Sequence, residues 1–297
     1  MKLAVIDLGS NSTRIGIYQK KDGVVTELDR KRLNTRLAEG LEQNNHLQDE
    51  PVKRTVEALK DFKLLIDSHK CDKVIAVATE SLRRAKNSDS FIKTVKEVTD
   101  IDIEVIDGRK ESLYGAMAAK SVTSYNSFYS LDVGGGSFEL TKVKDGKVTD
   151  FVCLPYGCVV LTEEFRPDTN APLKLELFLD KIFNDISFID EKLPLVLLGG
   201  SAKEIARYVY NGDKVTDFDG KTAKSADAID LYNLLKETPA GERINKFQME
   251  ERRADIIVAG LATIVALIKK SCSEDVIFCM KSIRDGIAYS ELLKQEF

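Results

Sequence analysis

Short apolar runs alternate with amphipathic stretches along the whole chain. Leu3 to Leu8 is apolar apart from Asp7, which predicts a buried strand, and Thr13 to Gln19 alternates as its hairpin partner would. From Val52 to Ile66 the apolar residues recur at spacings of three or four, which is typical of an amphipathic helix. Because strand and helix patterns continue to alternate, the sequence predicts an α/β protein.

The strand pattern restarts in the second half of the chain. In both halves an Asp and a turn of small residues stand between two strand patterns, at Asp7-Leu8-Gly9-Ser10-Asn11-Ser12 and at Asp132-Val133-Gly134-Gly135-Gly136-Ser137. We interpret this as an internal duplication with one copy in each of two domains. The alternative is a chance pair of turns, since Asp and Gly are common in turns.

The second half of the chain carries its own element predictions. The apolar pattern predicts one long helix over roughly Arg252 to Ile268. The polar, glycine-bearing segment from Tyr210 to Lys224 predicts an exposed loop. A last helix is expected from about Asp285.

Length and charge limit the classes of function. A chain of 297 residues has the length of about two domains, and its formal net charge of -4 excludes a generally basic nucleic-acid coat protein, with a local basic cleft left open. The longest apolar run, Ile256 to Ile268, is too short to cross a bilayer, and Asp7 interrupts the N-terminal run. We therefore expect a cytoplasmic protein with neither nucleic acid nor a membrane as partner.

Cysteine and histidine limit the chemistry further. Five cysteines without a C-x-x-C pair are expected to be reduced thiols, buried as small hydrophobic residues. Two histidines are too few for a His/Cys zinc site or a Ser-His-Asp triad to be expected. Catalysis must therefore depend on carboxylates, Arg, Lys, hydroxyls and backbone amides.

The two Asp-containing turns are the first candidates for that chemistry. Successive N–H groups of a small-residue turn can surround an anion, and Gly lets the backbone approach a phosphate closely. The Asp beside each turn is placed to hold a hard cation such as Mg²⁺, which makes Asp7 and Asp132 candidate ligands. The structural alternative is a pair of hairpins that only reverse the chain. The candidate phosphate-binding residues are Gly9, Ser10, Asn11, Ser12, Gly134, Gly135, Gly136 and Ser137.

A strand-to-helix junction after Ala78 offers a second anion site, because helix N-termini favour negative charge. Thr79 is the expected cap of this helix, and Arg83 could present its planar fork to phosphate oxygens. The alternative is that Arg83 and Arg84 are solvated surface residues.

Two glutamates complete the set of candidates. Glu111 is the candidate general base, because a carboxylate in a cleft can accept a proton from water that attacks phosphorus. Its alternative role is that of an ordinary acid at a helix start, where it complements the helix dipole. Glu139 follows Asp132 by seven positions and could join it at a metal, or form an ion pair with a neighbouring Lys.

Taken in order, these motifs closely resemble those of the exopolyphosphatase and guanosine pentaphosphate phosphohydrolase family (Ppx/GppA), in the actin-like ATPase and sugar kinase superfamily. The resemblance covers nearly the whole chain. Besides the two turns it includes Ala78-Thr79 to Asn87, Ile106-Asp107-Gly108 to Glu111, Leu154-Pro155-Tyr156-Gly157, Thr162-Glu163, Gly199-Gly200-Ser201, Arg253-Ala254-Asp255-Ile256-Ile257 and Ser282-Ile283-Arg284-Asp285-Gly286.

The resemblance implies two duplicated ribonuclease-H-like domains with an active site in the cleft between them. We place the N-terminal domain at residues 1–120 and the C-terminal domain at 121–283, with the last helix, about 284–297, packing back on the first. The resemblance also implies roles for individual residues: Glu111 matches the catalytic base, Asp132 and Glu139 match acidic positions linked to the metal, and Asn11, Ser12, Arg83 and the turn from Gly134 to Ser137 match phosphate-contacting positions.

The expected activity is Mg²⁺-dependent release of terminal orthophosphate from polyphosphate, guanosine pentaphosphate or both. Polyphosphate or guanosine penta- or tetraphosphate is the expected partner, and a homodimer is one expected assembly. A sensor without turnover stays open, because Lys110 stands where many members have an acid, and so does a kinase that uses Gly199-Gly200 for adenosine. Ser201 replaces a Thr found in many relatives, and the chain stops after the two-domain core, so processive action on long polyphosphate is not expected.

Overall fold

The structure, a computed structural model, describes residues 1–167, 172–210 and 218–294 and contains two mixed sheets packed against helices. The α/β class predicted from the sequence is confirmed. The chain divides into two compact units, Met1–Met117 with the segment that begins at Ile283, and Ala118–Ser282. The correspondence of these units to domains bounded at residues 120 and 283 stays a prediction.

The sheet of the first unit has three antiparallel strands followed by two strands parallel to the first. Its strands are β1 (Lys2–Leu8), β2 (Thr13–Lys21), β3 (Val24–Leu33), β4 (Lys73–Ala78) and β5 (Ile103–Val105), in the order β3-β2-β1-β4-β5. The helices between and after these strands are α1 (Leu41–Asn44), α2 (Asp49–His69), α3 (Glu80–Arg84), α4 (Ser88–Thr99) and α5 (Gly108–Lys120).

The second unit has a six-stranded sheet. Its strands are β6 (Phe128–Val133), β7 (Phe138–Lys144), β8 (Lys147–Leu154), β9 (Leu195–Leu198), β10 (Thr222–Lys224) and β11 (Asp275–Phe278), in the order β10-β11-β9-β6-β7-β8. Its helices are α6 (Cys158–Phe165), α7 (Leu173–Asp185), α8 (Gly199–Tyr210), α9 (Ser225–Lys236), α10 (Ala240–Phe247), α11 (Glu251–Ala254) and α12 (Ile257–Ser271), and α13 (Ile283–Leu293) follows in the first unit.

The two sheets share one topology. The order β3-β2-β1-β4-β5 recurs as β8-β7-β6-β9-β11, with the same antiparallel and parallel pairs. The first turn is also repeated: the N–H of Gly9 donates to the carbonyl of Ser12 at 3.2 Å, and that of Gly134 to Ser137 at 2.9 Å. These repeats confirm the predicted duplication of a ribonuclease-H-like fold.

Strand β1 is apolar almost throughout because both of its faces are covered. Ala4 and Ile6 pack in one core, and Leu3 and Val5 pack in another core that includes residues of α13. In the second unit α12 is buried nearly all round, which explains why Thr263 is its one polar residue before Lys269. Across the described ranges, no helix has both the length and the apolar character that a bilayer crossing requires.

The predicted long helix over Arg252 to Ile268 is wrong, because the structure has two helices, α11 and α12, in its place. The buried guanidinium of Arg243 donates to the carbonyl of Ala254, which occupies a group that a continuous helix would use. The N–H of Ile256 instead bonds the carbonyl of Arg253 at 3.1 Å, a tighter turn that separates the helices.

The prediction of an exposed loop from Tyr210 to Lys224 holds only in part, because most described positions are exposed but two are buried and three form a strand; residues 211–217 lie outside the described ranges. Phe218 is 2% exposed, and Thr222–Lys224 forms β10, which pairs antiparallel with β11. A single apolar residue and a three-residue strand are too short to show a period in the sequence.

The cysteine prediction holds in part. All five cysteines lie in the described ranges and none forms a disulfide, and Cys158 and Cys279 are buried as expected. Cys272 is exposed, and Cys71 and Cys153 are half-buried, so the expectation of burial is wrong for these three.

Candidate active site

The predicted residues of the first unit lie at one edge of its sheet. Leu8 stands beside Ala78 in the parallel pair of β1 and β4, and Ala78 stands beside Val105 in the pair of β4 and β5. The turn after β1, the start of α3 and the start of α5 therefore follow strand ends at this edge. Ligands of open α/β sheets bind at the carboxyl ends of the strands.

The turn that contains Gly9, Ser10, Asn11 and Ser12 is anchored from one side. The carbonyls of Ser10 and Asn11 accept hydrogen bonds from the N–H groups of Ala38 and Arg36, both at 3.0 Å. A Cβ at Gly9 would lie 3.1 Å from the carbonyl oxygen of Ser12, so a larger residue there would require the turn to open by a few tenths of an ångström. Ser12 is buried and Asn11 is exposed.

Asp7 is buried on β1, opposite Arg14 on β2. Burial raises the pKa of the Asp7 carboxyl, and the positive charges of Arg14 and Arg284 offset part of that rise. The Nε of Arg14 also donates to the hydroxyl of Ser12 at 3.3 Å, which ties the strand pair to the turn.

Arg83 and Glu111 meet directly. Nη1 of Arg83 donates to Oε2 of Glu111 and to the carbonyl of Ile106, both at 2.8 Å. The side chain of Glu111 is only 16% exposed. Thr79 occupies the N-cap position of α3 but makes no capping hydrogen bond through its side chain, so the predicted cap is wrong.

Sequence reasoning missed Glu80, which binds the same guanidinium. Its Oε2 accepts from Nη2 of Arg83 at 2.9 Å and from Nε at 3.3 Å. The signal was present, because Glu80 and Arg83 are three positions apart at a predicted helix start. Arg83 is therefore not the solvated surface residue of the alternative interpretation.

In the second unit Asp132 and Glu139 are direct cross-strand partners on β6 and β7. Glu139 is 8% exposed, and its Oε1 accepts a hydrogen bond from the hydroxyl of Ser137 at 2.6 Å. The thiol of Cys153 on β8 donates to the same oxygen at 3.2 Å. Sequence reasoning missed Cys153, which the alternation of β7 and β8 places beside Glu139.

Hydrogen bonds from the start of α6 fix the turn formed by Gly134, Gly135, Gly136 and Ser137. The N–H of Cys158 donates to the carbonyl of Gly134 at 2.9 Å, and that of Val159 to Gly135 at 3.0 Å. A Cβ at Gly157 would lie 2.3 Å from the backbone of Gly135, so α6 approaches the turn at backbone distance. These contacts also satisfy N–H groups of the first turn of α6.

The turn at Gly199 and Gly200 packs between two charged side chains. Gly199 has φ of +84°, and a Cβ there would lie 2.7 Å from Oδ1 of Asp132. A Cβ at Gly200 would lie 2.0 Å from Nη2 of Arg253. Arg253 was part of a sequence motif without an assigned role, and the structure places its guanidinium against this turn.

The donor set of the second unit suits Mg²⁺. Asp132 and Glu139 offer carboxylate oxygens from facing positions of two strands, and Mg²⁺ commonly binds through one or two carboxylates with waters and substrate phosphates. Among the described residues, no group of three or more His, Cys, Asp or Glu side chains is arranged to hold a metal. Two carboxylates at facing positions are a donor set that a hard ion with few protein ligands can use.

The sequence model of the Ppx/GppA phosphatase family matches residues 16–295. The chain belongs to this family. The Ppx/GppA family member of Aquifex aeolicus superposes with a TM-score of 0.91 at 32% identity, over 100% of this chain and 99% of that one. An exopolyphosphatase of Cytophaga hutchinsonii has a TM-score of 0.83 at 21% identity over 100% and 99% of the two chains, which shows a shared fold. Exopolyphosphatase 1 of Mycobacterium leprae is 24% identical over 98% of this chain and 90% of that protein.

Proposed function

We propose that this Ppx/GppA phosphatase releases terminal orthophosphate from polyphosphate, from guanosine pentaphosphate or from both. The observation that carries the proposal is the pair of Glu111 and Arg83, held 2.8 Å apart at the carboxyl edge of the sheet. The similarity to an exopolyphosphatase supports polyphosphate as a substrate class. We further propose that the protein acts in the cytoplasm.

Glu111 is the proposed general base. Its partly buried carboxylate is oriented by Arg83, so it can fix a water and accept its proton as the water attacks the terminal phosphorus. The ammonium of Lys110 forms an ion pair with Glu104. This pair offsets part of the positive charge that Lys110 places next to Glu111. Lys110, the sequence feature on which the sensor alternative rests, takes part in an exposed ion pair, which is consistent with turnover.

Positioning of the phosphates is the second task. We assign it to the N–H groups and hydroxyls of the two turns, residues 9–12 and 134–137, and to Arg83. Phosphoryl transfer passes through a loose transition state, so donors that are held rigidly before substrate arrives contribute most. Asp132 and Glu139, with Asp7 as a third candidate, would hold Mg²⁺, which when bound neutralises charge on phosphate oxygens.

The test is a substrate panel with the purified protein and Mg²⁺: short polyphosphate, long polyphosphate, guanosine pentaphosphate and ATP, with orthophosphate release as the readout. We expect release from at least one of the first three, loss of it on chelation of the metal, and recovery on addition of Mg²⁺. Glu111→Gln should lower kcat by about 10²- to 10⁴-fold. The matched control Glu97→Gln changes a glutamate that is 64% exposed on α4 and should leave kcat unchanged.

Three outcomes would contradict the proposal. Unchanged turnover in Glu111→Gln removes Glu111 from the mechanism. Tight binding of guanosine pentaphosphate or polyphosphate with no orthophosphate release indicates a sensor. Transfer of phosphate from ATP to a small acceptor indicates a kinase.

A further inference from the structure

The guanidinium of Arg83 is shared between two carboxylates. Nη1 donates to Glu111, whereas Nε and Nη2 both donate to one oxygen of Glu80. The side chains of Arg83 and Glu80 are 20% and 25% exposed. A Glu–Lys pair with the same spacing, Glu57 and Lys60 on α2, is by contrast 69% and 46% exposed, as surface ion pairs usually are.

The two contacts use different edges of the guanidinium. Nε and Nη2 form an edge with two parallel N–H donors, the geometry that binds a phosphate through two oxygens. In this structure that edge faces Glu80, while Nη1 is held by Glu111 and the carbonyl of Ile106. A phosphate can therefore bind Nε and Nη2 only after the carboxylate of Glu80 has moved away from them. Nη1 can meanwhile keep its hydrogen bonds to Glu111 and Ile106.

The charges around Arg83 also disfavour phosphate binding while Glu80 is in place. Two carboxylates, those of Glu80 and Glu111, pair with the one guanidinium of Arg83, and the negative charge of each repels an approaching phosphate. Because Glu80 lies one helical turn from Arg83 on α3, its side chain can swing away without a movement of the helix.

We propose that Glu80 is a positioning residue that occupies the phosphate-binding edge of Arg83 until substrate arrives, and thereby sets the affinity for the terminal phosphate. The inference rests on the proposed function, in that Arg83 contacts substrate. Binding exchanges the Glu80 carboxylate for a phosphate on Nε and Nη2, while Nη1 keeps Glu111 in place. No covalent bond changes in this step.

The test measures binding of tripolyphosphate to the protein by calorimetry with the metal chelated, because the proposed activity would hydrolyse the ligand in the presence of Mg²⁺. In Glu80→Gln the amide oxygen remains an acceptor, but a neutral one, and charge-assisted hydrogen bonds are about twice as strong as neutral ones. We expect the dissociation constant to fall by about threefold to tenfold. Glu80→Ala is a second variant with the same expected direction, and circular dichroism checks that both fold.

Two controls separate the exchange from a general charge effect. Glu57→Gln removes the same charge at the same spacing from a basic residue and should leave the dissociation constant unchanged. In an Arg83→Gln background, Glu80→Gln should no longer tighten binding, because the effect acts through the guanidinium.

Unchanged or weaker binding of tripolyphosphate by a folded Glu80→Gln variant overturns the inference. If Glu80 only supported the structure of the site, its replacement would raise the dissociation constant or leave it unchanged. Tightening that persists in the Arg83→Gln background overturns it as well. Turnover by the wild type with unaltered affinity in Glu80→Gln removes this inference and leaves the proposed function. A wild type that neither binds nor hydrolyses tripolyphosphate or guanosine pentaphosphate removes both.

Discussion

Lys142 is a charged residue buried in the sheet of the second unit, at 4% exposure. Its ammonium donates to Oδ1 of Asp190 at 2.6 Å and to Oε1 of Glu191 at 2.8 Å. Burial acts to lower the pKa of Lys142, but the two carboxylates raise it by more. Hydrogen bonds from Lys142 and Lys144 lower the pKa of Glu191 from 4.5 to about 2.

Glu191→Gln should therefore lower stability in a pH-dependent way. A carboxyl whose pKa is lower in the folded than in the unfolded chain stabilises the fold above the unfolded value, here 4.5, and loses that contribution as the pH falls through about 2. We expect a lower urea midpoint than the wild type at pH 7 and a difference that shrinks below pH 4.5.

The matched control for that experiment is Glu274→Gln. Glu274 pairs with Lys192, but both side chains are exposed, at 69% and 56%, so the pair should contribute little. A difference between Glu191→Gln and the wild type that stays constant from pH 7 to pH 2 would contradict the assignment of the effect to this carboxylate.

At the scale of elements, the two copies of the first hairpin have diverged at one cross-strand position. Asp7 faces Arg14 in the first copy, whereas Asp132 faces Glu139 in the second. The first pair combines opposite charges, and the second combines two carboxylates, which a cation stabilises. The same hairpin backbone therefore carries an Asp–Arg pair in one copy and an Asp–Glu pair in the other. Two of the three proposed metal ligands lie in the copy with two carboxylates.

Helices α5 and α13 approach each other at backbone distance within the first unit. A Cβ at Gly286 of α13 would lie 1.9 Å from the carbonyl oxygen of Tyr114 on α5. Real Cβ atoms do not come so close to a backbone oxygen, so any side chain at this position must separate the helices.

Gly286→Ala should destabilise the protein by about 1–3 kcal/mol or more, because overpacking forces backbone shifts. Gly115→Ala is the matched control: it lies on the facing helix α5, and a Cβ there meets nothing within 4 Å. The control should raise stability by about 0.5–1 kcal/mol, as Ala is the better helix former. Thermal melts of both variants measure the difference, and equal midpoints would show that the close approach is not maintained in solution.

At the scale of the whole molecule, the first unit is built from two separate stretches of the chain. Its sheet forms from residues before Ile106, but Ile287, Ala288 and Leu292 of α13 bury the face of β1 that carries Leu3 and Val5. The N-terminal unit is therefore completed only after the entire second unit has been synthesised.

A chain that ends at Ser282 should lose much of the stability of the first unit. Burial of Ile287 and Leu292 contributes about 3–6 kcal/mol by area, a large part of the 5–15 kcal/mol of typical proteins. We expect a lower thermal midpoint and increased binding of a hydrophobic dye. A chain that ends at Lys294 is the control, and dye binding equal to that control would mean that the face of β1 is protected without α13.

Most strands of this protein are encoded locally in its sequence, whereas contacts between distant residues are not. The strands β1, β2, β6 and β7 could be predicted because alternation and turn residues act within a few positions. The break between α11 and α12 could not, because it depends on Arg243, which reaches Ala254 from a separate helix. The three-residue strand β10 has too few residues to show a period.

By itself the sequence determined the α/β class, the duplication and the small-residue turns, since apolar period and turn chemistry are local properties of the chain. Only the tertiary structure decided which charged groups meet: Arg83 with both Glu80 and Glu111, and Glu139 with Ser137 and Cys153. A period specifies that a face is buried but not which side chain lies opposite, because that depends on how residues distant in sequence pack.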